Sequence, residues 1–344
     1  MSSSSSAPFE FAAGRPPSDW RFPRPFGART VAVAIVALAV LTVTGARLEM
    51  GRMVRSTADG VLAAVGLKAE SEVASGFHKI ASSIFPIQIE ERTPVGRIEG
   101  FDRRRLPLFS RIETVETKTE RLSPETLRPE ITVERTETLV EPVGYLVRVA
   151  GKMAETLEIA LWGTLLAVLA SLPLAILAAR NFTPHRWIMV AVRGLVSLFR
   201  AMPELVSALF LVLAYGFGPI AGVLALAIHG TGFLGKFYAE DLENADPKPQ
   251  EALRAIGANP LKVLRFAVLP QVAPQYVAYT LYVLDRNVRM ATVIGLVGAG
   301  GIGQELKGRY DMYNYGHVGT ILVAIFLLVF LLDQVSARLR RFWL

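Results

Sequence analysis

The chain has 344 residues, 52% hydrophobic and 19% charged, which is too apolar for an ordinary soluble domain and too polar for a pure membrane bundle. Its formal net charge of +7 suits cytoplasmic membrane flanks better than nucleic acid, so no nucleic-acid partner is expected. With no cysteine, disulfides, thiolate metal sites and cysteine nucleophiles are excluded, and four histidines in no metal-binding spacing predict no metal site. No Gly-x-x-x-x-Gly-Lys-Ser/Thr loop is present, so neither ATP nor another cofactor is expected.

The N-terminal region divides into a polar tail and an apolar run. Residues 1–29 combine serines, prolines and arginines, which predicts a disordered basic cytoplasmic tail. Residues 30–48 are nearly free of charge and about as long as the roughly 20 residues that cross a bilayer, so they are expected to form an uncleaved first transmembrane helix. Basic residues ahead of this helix place the N-terminus in the cytoplasm.

Five further apolar stretches are long enough to cross a membrane, which predicts six transmembrane helices in all. When all six spans are counted from residues 30–48, basic residues follow the second and the sixth span and separate the fourth from the fifth. The positive-inside rule therefore places these flanks, and the C-terminal residues 338–344, in the cytoplasm. The five stretches cover about residues 153–179, 187–215, 219–238, 270–297 and 317–335. Pro203 is expected to kink the helix over 187–215.

In this topology residues 49–152 form a long extracytoplasmic loop. Polar and β-branched residues alternate over 112–119 and again over 130–136, with Ser-Pro and Arg-Pro pairs between them. A period of two with such punctuation predicts a β-hairpin or a small sheet. No catalytic constellation occurs in the loop, so a solvated structural insertion is expected, with a docking surface for a partner as the alternative.

Residues 251–270 are too amphipathic to span a membrane and too apolar for a solvated linker. Gly257 can adopt the left-handed conformation that ends a helix, and Asn259 followed by Pro260 is a favourable start for the next one. The segment is therefore predicted to form two short helices joined by a tight turn, a docking projection on the cytoplasmic face. From these residues alone, an ordinary interfacial helical hairpin remains an alternative.

The same segment resembles the EAA signature of type I ABC importer permeases, Glu-Ala-Ala-x3-Gly-x9-Ile-x-Leu-Pro, and departs from it at Leu253 and Ala267. The matching positions, to which the resemblance assigns coupling with an ATPase, are Glu251, Ala252, Gly257, Leu269 and Pro270. Further segments are similar to the phosphonate-type subfamily, so the resemblance covers about residues 150–340. These segments are residues 155–164, 199–204, 228–240 and 287–303.

The resemblance implies an all-α integral membrane fold of six helices with a β-containing extracytoplasmic insertion. The permease domain would cover residues 153–337, with coupling helices over 240–268. It also implies a homodimer in the membrane lipid with a pore between the copies, two ABC ATPase subunits on the cytoplasmic face and an extracytoplasmic solute-binding protein.

The expected function is passage of a phosphonate-like oxyanion (phosphonate, phosphite or phosphate) across the cytoplasmic membrane, by a subunit that is not itself an enzyme. A permease for another small solute, such as an amino acid, is the alternative within the class. An integral-membrane enzyme acting on lipid phosphates is the rival from another class.

Ionisable residues deep in membrane spans are costly and usually face the interior of the bundle. An alternative to a polar path is pairing within one helix, because Arg200 with Glu204, and Asp285 with Arg289, are four residues apart. That pairing would leave Arg286 for an anion path. The candidates for the translocation path are Arg200, Glu204, His229, Arg286 and Arg289, with Arg193 also in a predicted span.

A glycine run follows the fifth predicted span. No strand precedes it, so a tight re-entrant turn near an outer gate is expected, and a phosphate cradle is the alternative. The glycines concerned are Gly298, Gly300, Gly301 and Gly303.

Overall fold

The computed structural model describes residues 27–65, 71–103, 106–107, 109–122 and 129–343. Residues 1–26 of the predicted basic tail lie outside these described residues. The chain divides into two units, Met1–Ile80 and Ala81–Leu344. Each unit is described by itself.

The first unit contains α1, Ala28–Arg47, and α2, Met50–Ala64. α1 coincides with the first predicted transmembrane helix. None of its 18-residue apolar window is buried, as expected of a helix whose apolar surface faces lipid. A third helix, α3, runs from Glu72 to Ile84.

The second unit is a helical body with one small sheet. A π-helical turn, Leu264–Val268, joins α9 to α10. The loop was predicted to extend to residue 152, but α4 already begins at Gly144. Residues 144–152 therefore belong to the helix. In chain order the helices are α4 Gly144–Ala178, α5 Arg186–Ala201, α6 Glu204–Tyr215, α7 Pro219–Asn244, α8 Pro247–Ala255, α9 Pro260–Val263, α10 Leu269–Gly295, α11 Gly301–Asp311 and α12 Tyr315–Trp343.

The predicted β-hairpin is confirmed and belongs to a three-stranded sheet. All pairs are antiparallel, in the order β1, β3, β2, and Ile112 of β2 lies opposite Leu139 of β3. The two long strands contain both segments that showed alternating polarity. The strands are β1 Glu91–Pro94, β2 Arg111–Leu122 and β3 Pro129–Glu141.

α4 and α7 run side by side in the same direction, which fixes the course of the chain between them. Just after α4 ends, the backbone N–H of Arg180 donates to Glu243, at the end of α7, over 2.8 Å. Because both helices end on the same side, α5 and α6 together carry the chain back across. The angle between them is 91°. The predicted span over 187–215, in which Pro203 indicated a kink, is therefore one broken span.

α10 runs antiparallel to α4 and α7. Near its start, Thr280 lies 2.7 Å from the hydroxyl of Tyr238, close to the end of α7. Further along, Asn287 donates to Thr164 in the middle of α4 over 2.9 Å. Among the described residues, α1, α4, α7 and α12 are long and apolar enough to cross a membrane, and the bent pair α5 and α6 makes a fifth candidate. α10 is more polar, but it lies along the same body.

Candidate functional site

A buried carboxylate joins several elements where α5 meets α6. Glu204 is 9% exposed and opens α6, where the helix N-terminus favours a negative charge. Its carboxylate pairs with Arg286 of α10 and lies 3.3 Å from Nε2 of His229 in α7. Nδ1 of His229 lies 3.2 Å from the carbonyl oxygen of Met202, at the break. Three of the predicted path residues are therefore brought together.

Of the two ion pairs that were considered within single helices, one is present and the other is not. Arg289 pairs with Asp285, four residues earlier in α10. The pairing of Arg200 with Glu204 was wrong, because the helix breaks between them and Glu204 pairs with Arg286. Sequence spacing could not reveal that partner, which lies 82 residues further along the chain.

A glycine of α7 allows the broken span to approach closely. A Cβ atom at Gly232 would lie 2.5 Å from the backbone nitrogen of Arg200 and 2.9 Å from the carbonyl carbon of Phe199. Contact this close leaves no room for a side chain. Gly232 thus positions the end of α5 beside His229.

A cavity of about 290 Å³ lies between α5 and α7, on the side where α4 and α7 end. Arg200, which is exposed, reaches this cavity instead of Glu204. Arg193 and Arg200 were predicted from the sequence as path candidates. Lys236, Glu240 and Glu243 of α7, which lie opposite them, were not. The charged residues that line the cavity are Arg180, Arg193, Arg200, Lys236, Glu240 and Glu243.

The segment that matches the EAA signature projects from the same side. As predicted, two short helices meet at Gly257, which has a φ of +80°, and Asn259 caps α9 by accepting from the backbone N–H of Lys262 over 2.9 Å. Ile256 and Leu261, which were not predicted from the sequence as site residues, are 80% and 73% exposed beside the turn. Apolar residues next to a helix-ending glycine in a polar segment were the available signal.

Four of the five signature positions fall on two helices, and the fifth, Gly257, lies in the turn between α8 and α9. Glu251 and Ala252 are exposed in α8, close to the turn. Leu269 and Pro270 begin α10, beyond the π-helical turn. The signature therefore extends from the projecting turn, through α9 and the π-helical turn, to the helix that carries Arg286.

The glycine run forms a tight turn between α10 and α11. The backbone N–H of Gly301 donates to Oε1 of Glu155 over 2.9 Å, and that of Ile302 donates to Oγ1 of Thr156 over 2.8 Å. Gly298 accepts from the backbone N–H of Gly218 over 3.0 Å. Because the first amides of α11 are bonded to α4, they are not available to a phosphate, and the geometry favours the predicted tight turn over a phosphate cradle.

Gly303→Ala is expected to destabilise the protein by about 1–3 kcal/mol or more, because overpacking forces backbone shifts. The added Cβ would lie 2.0 Å from the carbonyl oxygen of Thr292. Gly308→Ala is the matched control in the same helix, since its Cβ would meet nothing within 4 Å. Thermal unfolding of the purified variants measures the difference, and equal melting temperatures would contradict the close packing of α10 on α11.

The sheet is attached to the helical body by ion pairs around a buried carboxylate. Glu91 of β1 is 8% exposed, and it lies 2.8 Å from Arg148 of α4 and 3.5 Å from Arg309 of α11. The guanidinium of Arg309 lies 4.7 Å from the ring centre of Tyr145. The end of the sheet near α4 and α11 is thus integrated into the body, which sequence patterning did not indicate.

The far end of the hairpin is expected to be dispensable for assembly. Arg135 and Glu116 form an exposed pair at 2.8 Å, and joining their strands there by a short turn removes no contact of Glu91. Yield and monodispersity of the shortened protein should match the parent.

Glu91→Gln, by contrast, should lower the melting temperature, because it removes the carboxylate that two arginines share. A shortened hairpin that prevents membrane insertion would contradict this division.

The bundle, its broken span and its projecting helix pair together define a membrane transport subunit. Residues 171–342 match the family described as "Binding-protein-dependent transport system inner membrane component", and the chain belongs to that family. It is a multi-pass inner-membrane permease subunit of an ABC transporter and not an enzyme. The family implies an ATPase and a solute-binding protein as its partners.

Three similar permease proteins bear the names of phosphite or phosphate transport systems. HtxE of Stutzerimonas stutzeri, which bears the name of a phosphite transport system permease protein, is 59% identical over 257 residues, covering 75% of this chain and 98% of the relative. The phosphite transport system permease protein PtxC of the same organism is 45% identical over 189 residues, covering 55% of this chain and 69% of the relative. The phosphate-import permease protein PhnE of Mycolicibacterium smegmatis is 42% identical over 187 residues, covering 54% of this chain and 35% of the relative.

Among solved structures, the inward-facing MetNI methionine ABC transporter has a similar fold. The TM-score is 0.50 at 23% identity, and the match covers 57% of this chain and 96% of that chain. At this identity the likeness supports the fold alone.

Proposed function

We propose that this chain is the permease through which a phosphorus oxyanion, such as phosphite, phosphonate or phosphate, enters the cell. The observation that carries the proposal is the 59% identity to HtxE over 98% of that relative's length. Arginines in the crossing elements, Arg200 of α5 and Arg286 and Arg289 of α10, support it, because guanidinium groups bind tetrahedral oxyanions through paired hydrogen bonds.

The path is proposed to lie between two copies of the chain. Charged side chains in membrane-crossing elements face a bundle interior or a water-filled cavity. Here Arg200 and Arg289 lie on the surface of a single chain, and the Arg286 side chain is 30% exposed. A second copy placed against the face of α10 that bears Arg286 and Arg289 would enclose these two arginines and remove them from lipid. Arg200, by contrast, lines the cavity between α5 and α7.

Within this path Arg286 is proposed to act as a transient guide for the anion. Its guanidinium already pairs with Glu204, so an incoming oxyanion competes with a carboxylate for the same donors. Competition keeps binding weak enough for release, which a transport path requires. Glu204, which lies 3.3 Å from His229, holds the guanidinium at the broken span, where relative movement of α5 and α6 would change its position.

The projecting turn at Gly257 is proposed to insert into the ATPase on the cytoplasmic side. Basic residues cluster at that end, including Arg180 after α4, Arg254 in α8 and Lys262 in α9, as the positive-inside rule expects. Both termini are assigned to the cytoplasm, and the sheet to the side of the solute-binding protein. Two ATPase subunits would serve the two copies.

Uptake by cells that lack their own oxyanion importers tests this function. The permease is expressed with its own ATPase and binding protein, and uptake of labelled phosphate, phosphite and methylphosphonate is measured. We expect uptake of at least one oxyanion that disappears when the ATPase is omitted, and no methionine uptake. Methionine import without import of any oxyanion would establish the amino-acid alternative.

A further inference from the structure

The cavity between α5 and α7 is lined by facing rows of polar side chains. Arg193, Ser197 and Arg200 are spaced by four and three residues, which places them on one face of α5. Lys236 and Glu240 are spaced by four residues on the opposing face of α7. Since a water molecule occupies about 30 Å³ in the liquid, a cavity of about 290 Å³ has room for a small oxyanion with several waters.

The lining carries more positive than negative charge. Glu243 is engaged by Arg193 and by the backbone N–H of Arg180, and its Oε1 lies 3.9 Å from Nε of Arg180. Lys236 lies 3.5 Å from Glu240, a half-exposed pair that contributes little. In the part of the chain that the structure describes, no carboxylate forms an ion pair with Arg200. Four cations therefore face two carboxylates.

We propose that this cavity is a binding site for a phosphate group, separate from the guide at Arg286. A phosphate group carries about −1.5 to −2 charges at pH 7, which matches the excess of two positive charges in the lining. Arg200 and the second of the two arginines that share Glu243 account for that excess. Lys236 beside Glu240 is a further donor, and Ser197 offers a hydroxyl. The group comes either from a free oxyanion or from the headgroup of an anionic phospholipid. The site does not require that the bound anion be the transported solute.

The test measures binding to the full chain, purified in detergent and stripped of lipid. One arm titrates labelled inorganic phosphate, and the other titrates phosphatidic acid and follows the bound lipid by native mass spectrometry. Arg200→Gln and Lys236→Gln should each weaken binding about tenfold, the effect of losing one charge-assisted contact. Arg186→Gln is the matched control, because Arg186 is an exposed cation of the same helix that does not line the cavity.

Retention of phosphate in preference to phosphatidic acid identifies a free oxyanion as the ligand, and the reverse identifies a lipid headgroup. The proposal is overturned if both cavity variants bind both probes as well as Arg186→Gln does, with melting temperatures showing that all three are folded. This test measures binding and not uptake, so its outcome is independent of the uptake experiment in cells. Either experiment can fail while the other succeeds.

Discussion

Arg286→Ala is expected to lower ATP-driven oxyanion uptake by about tenfold or more, and Arg286→Lys by less. The alanine removes a guanidinium fork that would meet the anion, whereas lysine keeps the charge but loses the paired hydrogen bonds. Uptake into proteoliposomes that contain the ATPase and the binding protein measures the effect.

Loss of Arg286 also leaves the Glu204 side chain, 11% exposed, without its guanidinium, which costs about 3–5 kcal/mol in comparable buried pairs. A double variant, Arg286→Ala with Glu204→Gln, removes that buried charge and separates the two effects. We expect it to recover the melting temperature but not transport. Wild-type uptake by the double variant would show that Arg286 has only a structural role.

Gly257→Val is expected to reduce uptake several-fold while membrane insertion stays normal. At a φ of +80° a β-branched residue is strained by about 1–2 kcal/mol, so the turn between α8 and α9 should move. A Cβ at this position would meet nothing within 4 Å, so a steric clash is not the cause. Uptake and ATP hydrolysis stimulated by the binding protein are measured together, and hydrolysis without uptake indicates lost coupling.

Gly257→Asn is the control, because asparagine tolerates the left-handed conformation better than other non-glycine residues. It should retain most of the uptake. If asparagine and valine reduce uptake equally, side-chain bulk at the ATPase contact is responsible rather than backbone conformation. Full uptake by the valine variant would refute the coupling assignment.

Features with local causes were predictable from the sequence. The left-handed Gly257, the cap at Asn259 and the alternation in the two long strands each depend on residues within one turn or one strand. The EAA signature was recognisable for the same reason. Its positions are close in sequence and remain close in the structure.

Features that depend on distant partners were not predictable. Arg286 meets Glu204 only because α10 lies antiparallel to α4 and α7, which brings it to the broken span. Pro203 suggested a kink, but the bend of 91° also involves Gly232, which lets α7 approach the end of α5. One sequence shows neither contact.

The central claim, that the face of α10 bearing Arg286 lines a pore between two copies, can be tested by cross-linking. The chain has no cysteine, so single cysteines can be introduced directly. Val293 is 39% exposed and lies on the face of Arg286 at 100° per residue, whereas Val277 is 40% exposed on the opposite face. We predict that oxidation of Val293→Cys yields disulfide-linked dimers and blocks ATP-driven uptake until reductant is added, and that Val277→Cys does neither. Cross-linking through Val277→Cys alone, or uptake unaffected by a disulfide at Val293→Cys, would contradict the account.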